Sequence, residues 1–84
     1  MAKILIIEDD LDLIHLLKRK LEEDGYEVSA AQDGLDGLQL ARQHNPHIIL
    51  LDLMMPRMNG WETCRSLRKI TNAPILMLTA LDGD

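Results

Sequence analysis

The chain has no phenylalanine, one tryptophan (Trp61), one tyrosine (Tyr26) and one cysteine (Cys64) among its 84 residues. With aromatic content at 2%, aliphatic side chains must fill the interior. A single cysteine excludes an internal disulfide, and the absence of CxxC or Cys/His spacing argues against a zinc cluster. Cys64 reads as a small apolar filler, in a chain suited to a reducing compartment. Positive charge is also scarce: 9 Lys and Arg against 14 Asp and Glu leave a formal charge of −5. That balance argues against a grip on nucleic-acid phosphates, which needs clustered cations, and Lys18-Arg19-Lys20 reads as a solvated helix face. No apolar run approaches the roughly 20 residues of a membrane span. Met1-Ala2-Lys3 followed by only four apolar residues lacks the form of a secretory leader. The expected setting is cytoplasmic, without membrane or direct nucleic-acid contact by this segment.

What the chain does have is a repeated pattern. Ile4-Leu5-Ile6-Ile7 runs into Glu8-Asp9-Asp10, and Ile48-Ile49-Leu50-Leu51 runs into Asp52. An all-apolar run of four is too short for a buried helix and suits a strand covered on both faces of a parallel sheet. Between these runs, Ile14, Leu17 and Leu21, widened by Leu13 and Leu16, predict a first helix ended by Gly25. Residues 26–30 alternate, with Tyr26, Val28 and Ala30 on one side, as in an edge strand. Asp33 can cap a second helix with Leu35, Leu38 and Ala41 inward, which Asn45-Pro46 stops. Gly37 within it costs about 1 kcal/mol relative to alanine. Asn59 can cap a third helix with Trp61, Cys64 and Leu67 inward and Glu62 completing a capping box. Ile75 to Leu78 reads as a fourth strand ending at Thr79-Ala80. Strand and helix alternate throughout, which predicts an α/β fold with a doubly wound parallel sheet and right-handed crossovers.

Carboxylates just past such strands lie at the sheet's carboxyl edge, where open α/β folds bind ligands. If the first and third strands are neighbours, Glu8, Asp9 and Asp52 converge to roughly 5 Å, and at an effective dielectric of about 20 each ionised pair repels by about 3 kcal/mol. Such a group requires a cation or a proton. Hard oxygen donors without imidazole or thiolate favour Mg2+. Asp52, so neutralised, could act as a nucleophile toward phosphorus, with the Thr79 hydroxyl bonding a phosphoryl oxygen and Ala80 leaving room for the group. His15, His44 and His47 are scattered and read as surface or helix-end residues. Met54, Met55, Met58 and Met77 read as packing near the site or core.

Lys3 to Asp9 (KILIIED), Asp33-Gly34, Ile48 to Pro56 (IILLDLMMP), Met58-Asn59-Gly60 and Pro74 to Ala80 (PILMLTA) together resemble the receiver domain of bacterial two-component response regulators. The resemblance covers the whole chain, in order, spacing and residue type. It implies a flavodoxin-like sheet order 2-1-3-4-5. It also implies that Asp52 accepts a phosphoryl group from a sensor histidine kinase, in a signalling domain rather than an enzyme. Glu8, Asp9, Asp52 and the backbone carbonyl of Met54 would hold Mg2+, and Thr79 would be the switch hydroxyl. Met54 and Leu81 stand where the family tunes hydrolysis; neither can position water, so slow loss of phosphate is expected.

Receiver domains run to about 120 residues, a typical size for one domain. Residues 1–84 are therefore expected to be a partial receiver with four strands and three helices. The fourth helix, the fifth strand with its switch aromatic, the phosphoryl-contacting lysine and the fifth helix are not in the sequence. An uncovered fourth strand predicts self-association by strand pairing. The short connection from Arg68 to Pro74 resembles receivers attached to winged-helix DNA-binding domains, which suggests a transcriptional output. A phosphorylation-independent interaction module stays open as an alternative. An aspartyl-nucleophile phosphatase would want an acid at position 54, and a nucleotide binder a glycine-rich loop after the first strand.

Overall fold

The computed structural model describes residues 1–55 and 59–78. The elements are β1 (Lys3–Ile7), α1 (Leu11–Glu23), β2 (Glu27–Ala31), α2 (Gly34–His44), β3 (Ile48–Leu51), α3 (Gly60–Arg68) and β4 (Ile75–Met77). Four parallel strands form one sheet in the order β2-β1-β3-β4, the first four places of the expected 2-1-3-4-5. β2 lies at the rim, as its alternation predicts. The two aliphatic runs pair residue for residue, from Ile4 with Ile48 to Ile7 with Leu51.

Successive strand side chains face opposite sides of a sheet, and both sides here are covered. Leu5, Ile7, Ile49 and Leu51 pack with Ala41 of α2, Leu67 of α3 and Met55. Ile4, Ile6 and Val28 pack on the other side with Ile14 of α1, flanked by Leu17 and Leu21. Leu5, Ile6, Ile7, Ile49, Leu51 and Leu67 are fully buried, each worth about 1.5–3 kcal/mol of hydrophobic burial. Without a phenylalanine, branched aliphatics make most of this core, with Ala31, Ala41 and Met55.

The caps of α2 and α3 follow the sequence, and α1 adds one at Asp10. Asp10 caps α1 by accepting from the amides of Asp12 and Leu13, Asp33 accepts from Asp36, and Asn59 accepts from Trp61 and Glu62. α1 closes at Asp24, and Gly25 beyond it takes a φ of 93° that other residues rarely adopt. Asn45, with φ at 48°, closes α2.

Three expected inward leucine or tryptophan positions are corrected. Leu16 is 61% exposed, Leu35 81% and Trp61 60%. Leu16 lies about 200° around α1 from the buried Ile14, on the opposite side of the helix. The buried residues of α2 are Gly34, Gly37 and Ala41, because this helix rests directly on β1. A β-carbon at Gly37 would lie 2.5 Å from Cδ1 of Ile7. The glycine that helix propensity penalises is the contact that lets α2 approach. In α3 the inward residues are Gly60, Thr63 and Leu67, with Cys64 half-buried against the core and Trp61 outside. β4 is the other edge strand of the described sheet, and Leu76 and Met77 on it are exposed.

Candidate metal and phosphoacceptor site

Glu8 and Asp52 each follow the last residue of a central strand. The parallel ladder continues one step past both strands: the Glu8 amide donates to the Ala31 carbonyl and the Asp52 amide to the Ile7 carbonyl, each at 3.0 Å. The aliphatic runs thus do more than fill the core, since their pairing fixes the backbone from which the carboxylates project. Oxygens of Glu8, Asp9 and Asp52 lie within 4.8 Å of one another, matching the expected convergence. Glu8 and Asp52 are buried, whereas Asp9 is exposed.

Each buried acid has one backbone donor. Met54 donates to Asp52 Oδ1 at 2.9 Å, and Asp10 donates to Glu8 Oε2 at 2.9 Å. One such bond does not offset burial beside another acid. The Glu8 carboxyl is pushed up from its ordinary 4.5 to about 7, chiefly by burial. The Asp10 amide opposes that rise, while the charge of Asp52 and hydrogen bonds to Asp9 and Asp52 add to it. The rise favours the protonated carboxyl of Glu8 at pH values where an isolated glutamate is ionised. Its donors are all carboxylate oxygens, which suit a hard divalent ion and leave no soft ligand for zinc.

Asp10 lies apart in role although adjacent in sequence: its Oδ1 is engaged by the first turn of α1. The signal was present in the sequence, an aspartate directly before an apolar helical stripe. Met54 has an exposed side chain, and its backbone amide is bonded to Asp52. On either side, Leu53 packs against the core and Met55 is buried within it. Thr79, Ala80 and Leu81 lie outside the described residues. The last described residue, Leu78, donates to the Leu51 carbonyl at 2.8 Å, one residue from Asp52. Among the described residues His15 and His47 are exposed and outside the acid group, and the Nδ1 of His47 accepts from the Lys3 amide.

Residues 4–84 match the family model of the response regulator receiver domain, and the chain belongs to that family. Among curated proteins it is similar to the transcriptional regulatory protein CpxR homolog of Haemophilus influenzae, with 43% identity over 84 residues. That match takes in 100% of this chain and 37% of the relative, so the chain spans little more than a third of that protein's length. Among solved structures it is similar to the N-terminal domain of the nisin resistance regulator NsrR, at a TM-score of 0.89 and 32% identity, covering 100% of this chain and 71% of that one. It is also similar to a chain of the complex between histidine kinase ThkA and response regulator TrrA, at a TM-score of 0.86 and 34% identity, covering 100% and 76%. Among the described residues, no helix is long and apolar enough to cross a membrane.

Proposed function

We propose that the chain is the phosphoacceptor part of a cytoplasmic two-component receiver, with Asp52 taking a phosphoryl group from a histidine kinase. The observation that carries this reading is the convergence of Glu8, Asp9 and Asp52 at the carboxyl ends of register-paired strands, with two of the three acids buried. A carboxylate oxygen of Asp52 attacks phosphorus, the nitrogen–phosphorus bond of phosphohistidine breaks, and the electron pair returns to the imidazole, which takes a proton from solvent. Glu8, Asp9, Asp52 and the Met54 carbonyl would hold Mg2+, which when bound neutralises the acids and the charge on the transferring group. The Met54 amide orients one Asp52 oxygen and leaves the other to react. Thr79 bonds a phosphoryl oxygen beside the small Ala80. Met54 and Leu81, unable to position water, leave the acyl phosphate slow to hydrolyse.

The kinase as partner is supported by the likeness to a chain of a kinase–regulator complex, and a transcriptional output in a longer protein by the regulator relatives. The exposed residues of β4 further support pairing of two copies along that edge.

Intact mass before and after acetyl phosphate with Mg2+ tests the central step. The expected result is addition of one phosphoryl group, absent in Asp52→Asn. Addition that persists in Asp52→Asn, or none on either this chain or a longer form containing it, overturns the assignment.

A further inference from the structure

We propose that Gly60 is a positioning residue for the phosphoacceptor segment: the bare first turn of α3 sits against the backbone of Leu53, and this contact sets where Asp52 and Met54 lie. A β-carbon at Gly60 would come 2.6 Å from the α-carbon of Leu53, 2.7 Å from its Cδ2 and 3.2 Å from the Asp52 carbonyl oxygen. The first of these is main chain and cannot swing aside as a side-chain tip can. Leu53 is the single residue between Asp52 and Met54, and the Met54 amide holds Asp52 Oδ1. Displacing Leu53 by a few tenths of an ångström therefore moves the donor of that bond and the Met54 carbonyl together.

α3 has a fixed seat from which to push. Asn59 caps it, Thr63 donates from both its amide and its hydroxyl to the Asn59 carbonyl, and Leu67 is fully buried. Met55 is equally anchored in the core. The segment is held at Leu51 by the sheet and at Met55 by the core, and Gly60 abuts its middle. The other close approach, at Gly37, differs in kind, because there a β-carbon meets only side-chain atoms of Ile7. Gly60 touches no reacting atom; it acts through Leu53. The inference rests on Asp52 and Met54 forming the site, but the geometry can be read without cation or phosphate.

The test is amide NMR of the isotope-labelled 84-residue chain, without cation and then during Mg2+ titration. Wild type is compared with Gly60→Ala, with Gly25→Ala, and with Gly60→Ala combined with Leu53→Ala. Gly25 also resists substitution, through its positive φ, but a β-carbon there meets nothing within 4 Å. In Gly60→Ala the Asp52 to Met54 amides should shift without cation. The Met54 amide should exchange about tenfold faster relative to Leu5, as when one hydrogen bond is lost, and Mg2+ should bind about tenfold more weakly, the usual scale for disturbed ligand support. Gly25→Ala should leave all three unchanged relative to Leu5. Leu53→Ala should not rescue Gly60→Ala, because the new methyl still meets the main chain of residue 53. Unchanged Met54 shift and exchange in folded Gly60→Ala overturns the proposal, as does full rescue by Leu53→Ala. If Gly60→Ala unfolds, trimethylamine N-oxide, which strengthens effective burial, is added until β1 amides regain native shifts, and the comparison is made there. Failure of wild type to bind Mg2+ would instead count against the cation site, with the cation-free Met54 comparison still deciding the role of Gly60.

Discussion

The Asp52 amide donates to the carbonyl of the peptide that links Ile7 to Glu8, and the amide of that same peptide donates onward to Ala31. One peptide group thus ties the two buried acids to each other and to the neighbouring strand. The separation of their backbones is set by the sheet, so the two carboxylates stay close for as long as both side chains point into the site. Relief has to come from a proton or a cation.

The proton makes stability pH-dependent. Because the folded value of Glu8, about 7, lies above its ordinary 4.5, the folded chain binds a proton that the unfolded chain releases between those values. The stabilisation is complete below about 4.5 and is lost as pH rises through about 7. Without divalent cation, the urea midpoint should fall over this window, and Glu8→Gln should flatten the fall. Mg2+ bound by the same acids would replace the proton, so its affinity should rise with pH across the same range. A wild-type midpoint that climbs from acid to neutral pH would contradict the account.

Asp9 and Asp10 should separate cleanly. Asp10→Ala removes the cap of α1 and should cost about 1 kcal/mol of stability while leaving Mg2+ affinity nearly unchanged. Asp9→Asn should weaken Mg2+ binding with little loss of stability. Urea denaturation and isothermal titration calorimetry on the two variants give the answer, and the reverse assignment would show that the cluster has been divided wrongly.

Leu67 is fully buried among Leu5, Ile49 and Leu51 in the core beneath α3. Truncation to alanine should cost about 3 kcal/mol, a large share of the stability of so small a chain. The melting temperature should drop steeply, and a change too small to resolve would mean that α3 does not pack as described.

Leu76 is 54% exposed on β4, an edge strand of the described sheet. If two copies pair along β4, Leu76→Lys should shift sedimentation toward monomer at concentrations where wild type associates. A wild-type chain that sediments as monomer at every concentration would remove the pairing.

Much of this was legible in the sequence because strand and site use the same signal. A run of four aliphatics suits a two-sided sheet interior, and the acid that ends each of the first two runs inherits its place at the sheet edge. Glu8, Asp9 and Asp52 could therefore be grouped before any coordinates. The inward faces of the helices were less legible, since hydrophobic spacing counts leucine and tryptophan as core and glycine as a weakness. In α2 and α3 the order is reversed: Gly37 and Gly60 are buried because the helices approach so closely, and Leu35 and Trp61 are left outside. Backbone proximity leaves no mark in a hydropathy pattern. Thr79, Ala80 and Leu81 were equally readable as a motif and lie beyond the described residues.

The exposed position of Trp61 has a practical side. It is the sole indole of the chain, it directly follows Gly60, and its own amide is held by the Asn59 cap. At 60% exposure its emission is open to aqueous quenchers and free of overlap from any other tryptophan. The first turn of α3, which abuts the segment from Asp52 to Met54, therefore carries an intrinsic fluorophore, and a change there can be followed in the light of a single side chain without attaching a dye.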